Sequence, residues 1–436
     1  MDIVVLAVLL GVVGCLSLGL VELVVRRTDF GAILILGLLL FSESFPDVSL
    51  SFIVGPVSVG PQDLLLALFA VASVARLLRA ERLTNPQRLL IFISLLVFWA
   101  LARGVGPFGL PAAVNEARRN LRFVVTALYF STLEDRKDIL ERLGWLWVIA
   151  SLALVLLTVV RWLANSVGVV GGAFGEGGNL RVIPADSALI IAQGAVLAFP
   201  LYAQRSRQLL RFLAPGFLVA VVILQHRTVW IAGAFGSVYL LFREQALAKR
   251  VLSALVVATI LFSALVLTVF GGREDDVTDQ LATSAQSTNT FEWRVDGWTA
   301  LLAETVDAGP DEVVVGRPFG TGWSRRMPSG GVVEVSPHNY YVEAFLRIGA
   351  LGLVLMALLY AAVLRGTSRA SWANGFNSGP PMTASGLHVV IAMQLVYYIT
   401  YAPDMAQAIL LGIGLSVAGH AEGRRATSRR RYEAVT

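Results

Sequence analysis

Cysteine is almost absent from this chain of 436 residues, and charge is sparse. The single cysteine, Cys15, lies inside the first apolar run, so an intramolecular disulfide and a thiolate metal cluster are both excluded. Only 15% of the residues are charged, whereas 56% are hydrophobic and the mean hydropathy is +0.70. A soluble core does not need that apolar excess. The composition therefore excludes an ordinary soluble domain and predicts an all-α polytopic membrane protein.

Thirteen apolar runs are long enough to cross a bilayer, which takes about 20 residues each. They begin near Ile3, Phe30, Asp63, Arg88, Arg119, Leu143, Asp186, Leu209, Thr228, Val251, Asn339, Gly386 and Asp404. The first run is too long, and too weakly charged ahead of its apolar residues, for a cleaved signal peptide. We therefore expect about 13 transmembrane helices, the first of them retained.

Arginine and lysine collect in alternate loops, and this pattern orients the chain because short cytoplasmic loops retain basic residues. The clusters lie at residues 26–27, 79–88, 136–142, 205–211, 243–250 and 365–369, and in the tail from 424 to 431. With thirteen spans, all of them fall on one side of the membrane. We expect a multi-pass protein of the cytoplasmic (inner) membrane, with the N-terminus outside and the C-terminus in the cytoplasm.

The predicted organisation has four parts. Helices 1–10 occupy residues 1–270, an extracytoplasmic loop with an amphipathic helix covers 271–337, helices 11–13 follow in 338–420, and a basic cytoplasmic tail fills 421–436. The net charge is +5, but the basic residues are used at the inner membrane rim and no nucleic-acid motif accompanies them. Membrane lipids are therefore expected partners, and nucleic acid is not.

Arg227 lies in the only polar break between two apolar runs that cover residues 209–242. These 34 residues must cross the membrane twice. At 1.5 Å per residue each half reaches about 25 Å, which is less than the hydrocarbon thickness of about 30 Å. The hairpin tip is thus expected at or just below the outer headgroups. An arginine there needs an anion, and its five donors suit a phosphate, either of a substrate or of a lipid headgroup.

A helical pattern begins after the polar stretch 273–289. Stepping about 100° per residue places five residues on one apolar stripe, namely Phe291, Val295, Trp298, Leu301 and Leu302. Arg294 falls within that stripe, one turn before the tryptophan. Such an arginine either snorkels from a helix laid on the membrane or points into a protein cleft, and both alternatives stay open from the sequence.

His338 is the residue best suited to move a proton. Ser336 as N-cap and Pro337 as first helical residue predict a helix with His338 in its first turn. The positive end of the helix dipole disfavours the imidazolium, so we expect the neutral imidazole that a general base requires. A capping or interface histidine is the structural alternative. Tyr340 and Tyr341 are candidate substrate contacts or packing residues at the membrane interface.

Other polar segments carry weaker signals. The glycine-rich segment 316–323 matches neither phosphate-loop nor dinucleotide-loop spacing and predicts a shaped turn. Arg325 and Arg326, which follow it, are candidate substrate contacts. The acidic run 274–276 has no second carboxylate cluster or histidine near it, so we interpret it as solvated and expect no metal site.

Three of these segments carry a family resemblance. They are Gln225 to Trp230, Glu292 to Trp298, and Pro337 to Tyr340 followed by Arg347 to Leu353. Together they resemble the bacterial O-antigen ligase and O-antigen polymerase family of membrane glycosyltransferases. That family is similar in layout too, with twelve helices and a large external loop after the ninth. The extra N-terminal helix of this chain is a departure from it.

The resemblance implies a metal-independent, cofactor-free reaction in cell-surface polysaccharide biosynthesis. A glycan is transferred from an undecaprenyl diphosphate carrier to an acceptor hydroxyl on the outer face of the membrane. By similarity, Arg227 and Arg294, together with Arg181, hold the donor diphosphate, and His338 deprotonates or orients the acceptor. The acceptor is a glycan, a lipid or a protein, because ligases and polymerases share this machinery.

Two other classes stay open from the sequence. A flippase or transporter of lipid-linked oligosaccharide would also be polytopic and need a cationic grip on the diphosphate, although transporters usually place ionisable groups near mid-membrane. A non-catalytic scaffold of an envelope-synthesis complex is the third class.

Overall fold

The computed structural model describes residues 19–48, 50–80, 82–133, 137–163, 181–205, 210–243, 245–269, 289–328, 330–374 and 384–433. Within these ranges the chain is helical apart from connecting loops and two short antiparallel β-hairpins. Cys15, the glycines of the 164–180 loop and the acidic run 274–276 lie outside the described residues.

The described helices are α1 (Thr28–Ser44), α2 (Pro61–Arg79), α3 (Asn85–Phe108), α4 (Leu110–Ser131), α5 (Lys137–Leu163), α6 (Ala185–Arg205), α7 (Leu210–Ile223), α8 (Arg227–Arg243), α9 (Gln245–Val269), α10 (Asn289–Ala308), α11 (Pro310–Val315), α12 (Tyr340–Asn374), α13 (Ala384–Tyr397) and α14 (Met405–Glu433). The strands are β1 (Phe52–Val54), β2 (Val57–Val59), β3 (Arg325–Arg326) and β4 (Val332–Val333). β1 pairs with β2, and β3 with β4.

Four described helices are long and apolar enough to cross a membrane. They cover Pro61–Arg79, Asn85–Phe108, Ile139–Trp162 and Tyr340–Ala370. Shorter apolar helices cover Ala185–Phe199, Leu213–Ile223, Leu255–Ala264 and Ser385–Tyr397. The predicted class, a helical membrane protein, fits this architecture. The number of thirteen spans stays a prediction.

The buried side chains of the bundle form one large hydrophobic cluster to which α1–α8 and α12–α14 all contribute. Helices joined by short connections run in opposite directions, so the connections gather at two ends of the bundle. The end formed by residues 181–185, 223–228, 337–340 and 397–405 is called the site end below. Hydrogen bonds join these four segments, as described in the next section.

A buried ion pair fixes the segment 316–323 to the bundle. One oxygen of Glu116, on α4, accepts hydrogen bonds from the backbone N–H groups of Gly320 at 2.6 Å and Gly322 at 3.1 Å. The other oxygen contacts the guanidinium of Arg347, on α12, whose side chain is 3% exposed. Arg347 also donates to the carbonyl oxygen of Gly322 at 2.6 Å. The segment is thus a shaped turn whose backbone donors are satisfied by the protein's own carboxylate.

Helix α12 bends at Gly349, where φ is 67° and ψ is −174°. A Cβ at this position would lie 2.1 Å from the carbonyl oxygen of Val314. Glycine is therefore required both for the backbone conformation and for the close approach of α11. The apolar run predicted to begin near Asn339 consists of a short first segment, ending at the bend, and a longer apolar helix after it.

Candidate functional site

Four of the residues predicted from the sequence lie close together at the site end. Arg181 precedes α6, and Arg227 is the first residue of α8. Arg294 lies in the first half of α10, the amphipathic helix predicted in the loop, and His338 lies just ahead of α12. The segments that carry them meet around Thr400, in the connection between α13 and α14.

Arg294 contacts the connection between α13 and α14, which fits the second of the two alternatives left by its helical stripe. Its Nη1 lies 3.4 Å from the carbonyl oxygen of Thr400, to which it donates. The guanidinium carbon is 5.6 Å from the centroid of the Tyr401 ring. The Nε atom is shielded from solvent and has no hydrogen-bond partner among the described residues. The hydrogen bond and the ring contact hold the guanidinium against the α13–α14 connection.

Only the later part of the predicted apolar stripe is buried. Leu301 is 2% exposed, whereas Phe291 is 48% exposed. The indole Nε1 of Trp298, between them, donates to the carbonyl oxygen of Pro337 at 2.6 Å. This bond ties the helix that carries Arg294 to the residue before His338.

Arg227 lies at the tip of the helical hairpin that the polar break predicts. Helix α7 ends at Ile223 and α8 begins at Arg227. The indole of Trp230 donates from Nε1 to the carbonyl oxygen of Val221 at 2.8 Å, which closes the tip. The two helices have 14 and 17 residues. At 1.5 Å per residue they are about 21 and 26 Å long, so the hairpin is short, as predicted.

Thr400 connects the hairpin tip to Arg294. The hydroxyl of Thr228, next to Arg227, is hydrogen-bonded to the hydroxyl of Thr400. The backbone carbonyl of the same threonine contacts the guanidinium of Arg294. Thr400 therefore contacts Arg294 directly and the start of α8, where Arg227 lies, through Thr228.

Arg181 completes a group of three guanidiniums. Its Nε donates to the carbonyl oxygen of Gln225 at 3.2 Å. Burial lowers the pKa of Arg181 most, and the positive charges of Arg227 and Arg294 lower it further. Tyr401 acts on it in the opposite direction. The three cations thus share one electrostatic environment, which favours binding of an anion with more than one charge.

His226 is a site residue that sequence reasoning missed. Its side chain is 5% exposed, and its Nε2 lies 2.9 Å from the carbonyl oxygen of Ile183, to which it donates. Burial lowers the pKa of His226 to about 4, so the imidazole is neutral over the physiological range. It holds the segment after Arg181 against the hairpin that carries Arg227. The partner lies 43 residues away, and the only local signal was its place beside Arg227.

The predicted start of the helix near His338 is wrong by three residues, because α12 begins at Tyr340 rather than at Pro337. The side-chain oxygen of Asn339 accepts hydrogen bonds from the backbone N–H groups two and three residues on, at 2.9 and 3.0 Å. Asn339 therefore caps the helix, in place of Ser336. An asparagine cap two residues after the proline outcompetes the serine-proline start.

His338 lies outside the helix with φ at 51°, in the left-handed region. A residue other than glycine adopts this conformation only when its surroundings hold it there. Two hydrogen bonds do so, one from Trp298 to the carbonyl of Pro337 and one from the N–H of Tyr340 to the carbonyl of Tyr398 at 2.9 Å. These bonds hold the backbone around His338 against both α10 and the α13–α14 connection.

The expected neutral state of His338 has a different cause from the one predicted. Burial lowers its pKa most, and the positive charges of Arg294, Arg119 and Arg325 lower it further. The helix dipole is not needed for this effect, because the residue precedes the helix. A half-buried imidazole of lowered pKa beside guanidiniums is an unprotonated base at neutral pH.

Arg325 and Arg326 occupy opposite faces of strand β3. Arg325 is 5% exposed and donates from Nη1 to the carbonyl oxygens of Trp323 at 3.1 Å and Val335 at 2.7 Å. It supports the loop and adds positive charge near His338. Arg326 is exposed. Direct substrate contact stays a prediction for both.

The two tyrosines after His338 have packing partners. Tyr340 is 3% exposed, with its ring centroid 5.7 Å from that of Phe123 and 5.4 Å from that of Tyr398. The Tyr341 hydroxyl donates to the carbonyl oxygen of Leu395 at 2.7 Å. These contacts fit the packing alternative, and a contact with substrate stays a prediction.

Arg119 is a further cation near His338 that the sequence did not single out. It lies on α4 and contacts a carboxylate oxygen of Glu343, which is 1% exposed. The other oxygen of Glu343 accepts a hydrogen bond from the side-chain amide of Asn120 at 2.8 Å. The carboxylate therefore fixes the guanidinium in place. From the sequence, Arg119 marked only the start of an apolar run.

Among the described residues, no group of three or more histidine, cysteine, aspartate or glutamate side chains has an arrangement able to hold a metal ion. The local positive charge comes instead from the arginines. A scan of protein-family models matched no family to this chain, and a search of curated proteins gave no match. What the site can do follows from its residues: three guanidiniums can hold an anion, and a neutral imidazole can accept a proton beside it.

Proposed function

We propose that this chain is a membrane glycosyltransferase of the O-antigen ligase and polymerase type. It transfers a glycan from an undecaprenyl diphosphate carrier to an acceptor hydroxyl on the outer face of the cytoplasmic membrane. One observation carries the proposal: Arg181, Arg227, Arg294 and His338 lie on segments that hydrogen bonds join to one another at one end of the bundle.

The reaction suits these side chains. The acceptor oxygen forms a bond to the first carbon of the glycan while the bond from that carbon to the phosphate oxygen breaks, and the electron pair stays on the diphosphate. The imidazole of His338 takes the proton of the acceptor hydroxyl. A diphosphate is a good leaving group that needs charge stabilisation more than protonation, and preorganised guanidiniums provide it.

Arg294 has the central role in this proposal. Its charge lowers the pKa of both Arg181 and His338, so it acts electrostatically on the other cations and on the proposed base. Among the described residues its guanidinium makes one hydrogen bond, of 3.4 Å, which leaves further donors of the planar fork for a phosphate. Because the guanidiniums supply the positive charge, the proposed transfer requires no metal ion.

Sidedness is part of the proposal. Helices that leave the site end reach the opposite end near Arg79, Arg205, Arg243 and Arg365, where basic residues collect. The positive-inside rule supports a cytoplasmic location for that end, and we therefore propose that the site end faces the outer surface. A site at the bundle end supports transfer over transport, since transporters use ionisable groups near mid-membrane.

The test is transfer by the purified protein in liposomes. The donor is the polyprenyl diphosphate-linked glycan fraction from a strain that lacks the gene, and the acceptor is the glycolipid fraction of that strain. The proposal expects labelled glycan in the acceptor, with EDTA present and without nucleotide sugar. Movement of donor across the bilayer without transfer would instead establish a flippase, and neither activity would favour a scaffold.

A further inference from the structure

A cavity of about 270 Å³ adjoins the proposed active site at the same end of the bundle. It lies between the end of α1 and the helices α2, α4, α6 and α14. Its ionisable lining consists of Glu43, Arg119, Arg122, Asp186 and Asp404. Small-molecule sites usually have about 300–1,000 Å³, so this cavity holds one ring-sized group rather than a long chain.

Arg119 links this cavity to the start of α12, which begins just after His338. It lines the cavity and contacts Glu343, whose backbone N–H donates to the carbonyl oxygen of Asn339, the residue after His338, at 2.9 Å. Its side chain remains 40% exposed, and its charge lowers the pKa of His338. The cavity and the proposed base are therefore connected through Arg119 and the first turn of α12.

The donors of the cavity are fixed on α4. Two nitrogens of Arg122 donate to the same carboxylate oxygen of Asp63, Nη2 at 2.6 Å and Nε at 3.1 Å. A second hydrogen bond joins Arg122 to the side-chain oxygen of Gln62. Both arginines of the cavity are thus oriented by neighbours before any ligand binds, which reduces the entropy cost of binding.

The acceptors lie on the other walls. Glu43, at the end of α1, accepts a hydrogen bond from the hydroxyl of Ser187 at 3.2 Å and pairs with Arg161 at 3.6 Å. Asp186 accepts from the backbone N–H of Ser187 at 2.9 Å. Burial and the nearby Asp186 raise the pKa of Asp404, so its charge is partly neutralised.

The balance of charges selects the class of ligand. Arg119 is paired with Glu343, Arg122 with Asp63 and Glu43 with Arg161, and Asp404 is partly neutral, so the cavity has little net charge to attract an ionic ligand. A neutral group with many hydroxyls is compatible with both kinds of side chain, because each hydroxyl can donate to a carboxylate and accept from a guanidinium.

We propose that this cavity binds a sugar ring of the acceptor, with the reacting hydroxyl directed past Arg119 toward His338. The inference rests on the proposed glycan transfer and names the acceptor of that reaction as a glycan or glycolipid. Arg122 and Glu43 are specificity-determining residues on opposite walls.

The experiment uses the full chain in lipid nanodiscs and two independent measurements. The first is binding of radiolabelled undecaprenyl diphosphate, which reports the donor side alone. The second is the rate of glycan transfer at increasing concentrations of the glycolipid fraction from the strain that lacks the gene. Arg122→Gln and Glu43→Gln remove one charged wall each and conserve the side-chain size approximately. Leu65→Trp fills the cavity without changing its charges, and it covers the case in which a charge variant does not fold.

Each cavity variant is expected to raise the KM for the acceptor at least tenfold and to leave undecaprenyl diphosphate binding unchanged. Arg79→Gln, at an exposed arginine at the opposite end of the bundle, is the matched control and should leave both measurements unchanged. If all three cavity variants transferred glycan with an acceptor KM within twofold of the wild-type value, the inference about the cavity would be overturned. The proposed glycan transfer would still stand in that case. Absence of transfer by the wild-type protein would instead overturn the proposed function.

Discussion

Glu116→Gln tests the ion pair that holds the loop 316–323. Glutamine keeps an oxygen that can accept from the backbone N–H groups of Gly320 and Gly322, so the substitution removes mainly the charge that faces Arg347. That guanidinium is 3% exposed and cannot recover its hydration without local unfolding. Leaving one member of a buried pair uncompensated costs about 3–5 kcal/mol of the free energy of unfolding.

Other contacts of Arg347 place the expected loss toward the lower part of that range. Its guanidinium carbon lies 4.0 Å from the centroid of the Trp323 ring, and it donates to the carbonyl of Gly322 at 2.6 Å. A partly desolvated cation over an aromatic ring gains about 1–2 kcal/mol. Both contacts remain when Glu116 is replaced.

The free energy of unfolding is measured by denaturant titration in mixed detergent micelles. Glu22→Gln is the control, because the Glu22–Arg26 pair is exposed, with side chains 54% and 76% accessible. Exposed pairs contribute about 0–1 kcal/mol, so this variant should remain near wild type. A Glu116→Gln variant as stable as the Glu22→Gln control would refute the view that a buried charge pair fixes the loop.

Three further predictions concern the site. Arg325→Gln removes a positive charge that lowers the pKa of His338, so the acid limb of the pH profile of kcat/KM should move to higher pH. Arg325→Lys keeps the charge, and its profile should stay closer to that of the wild type. Identical profiles for Arg325→Gln and the wild type would contradict this prediction. His226→Phe leaves the buried carbonyl of Ile183 unpaired, which lowers the free energy of unfolding by about 1–3 kcal/mol. In a filter assay this variant should bind undecaprenyl diphosphate more weakly than His226→Gln does. Gly349→Ala should destabilise the fold by more than about 2 kcal/mol, since it adds steric overlap to backbone strain; a thermal midpoint equal to wild type would disprove it.

Features set by short-range patterns were predictable from the sequence. The polar break at Arg227 divides two short apolar runs, and this pattern predicted the helical hairpin. The prediction was possible because the hydrocarbon thickness sets the length that each helix needs to cross the membrane. Helical periodicity placed Arg294 with Trp298, and the structure gives Trp298 a contact beside His338. Composition alone was sufficient for the class of a helical membrane protein.

Features set by long-range contacts were not predictable. The connection through Thr400 joins Arg294 to a residue 106 positions later, and the link from His226 to Ile183 depends on how two helix pairs dock. The prediction of where α12 begins failed for a local reason, since Asn339 and Ser336 are both suitable N-cap residues and Asn339 takes that role. Propensity cannot rank such competing caps when their free energies differ by a few tenths of a kcal/mol.

The most direct test of the central claim is glycan transfer by Arg294→Ala and His338→Ala in liposomes, with Arg79→Ala, at the opposite end of the bundle, as the control. Both site variants are expected to insert normally and to lose transfer by at least about 10²-fold, the scale on which single charge-stabilising donors and general bases act. Arg294→Ala should also weaken undecaprenyl diphosphate binding, whereas His338→Ala should not. Wild-type transfer rates in either site variant would contradict the role assigned to that residue.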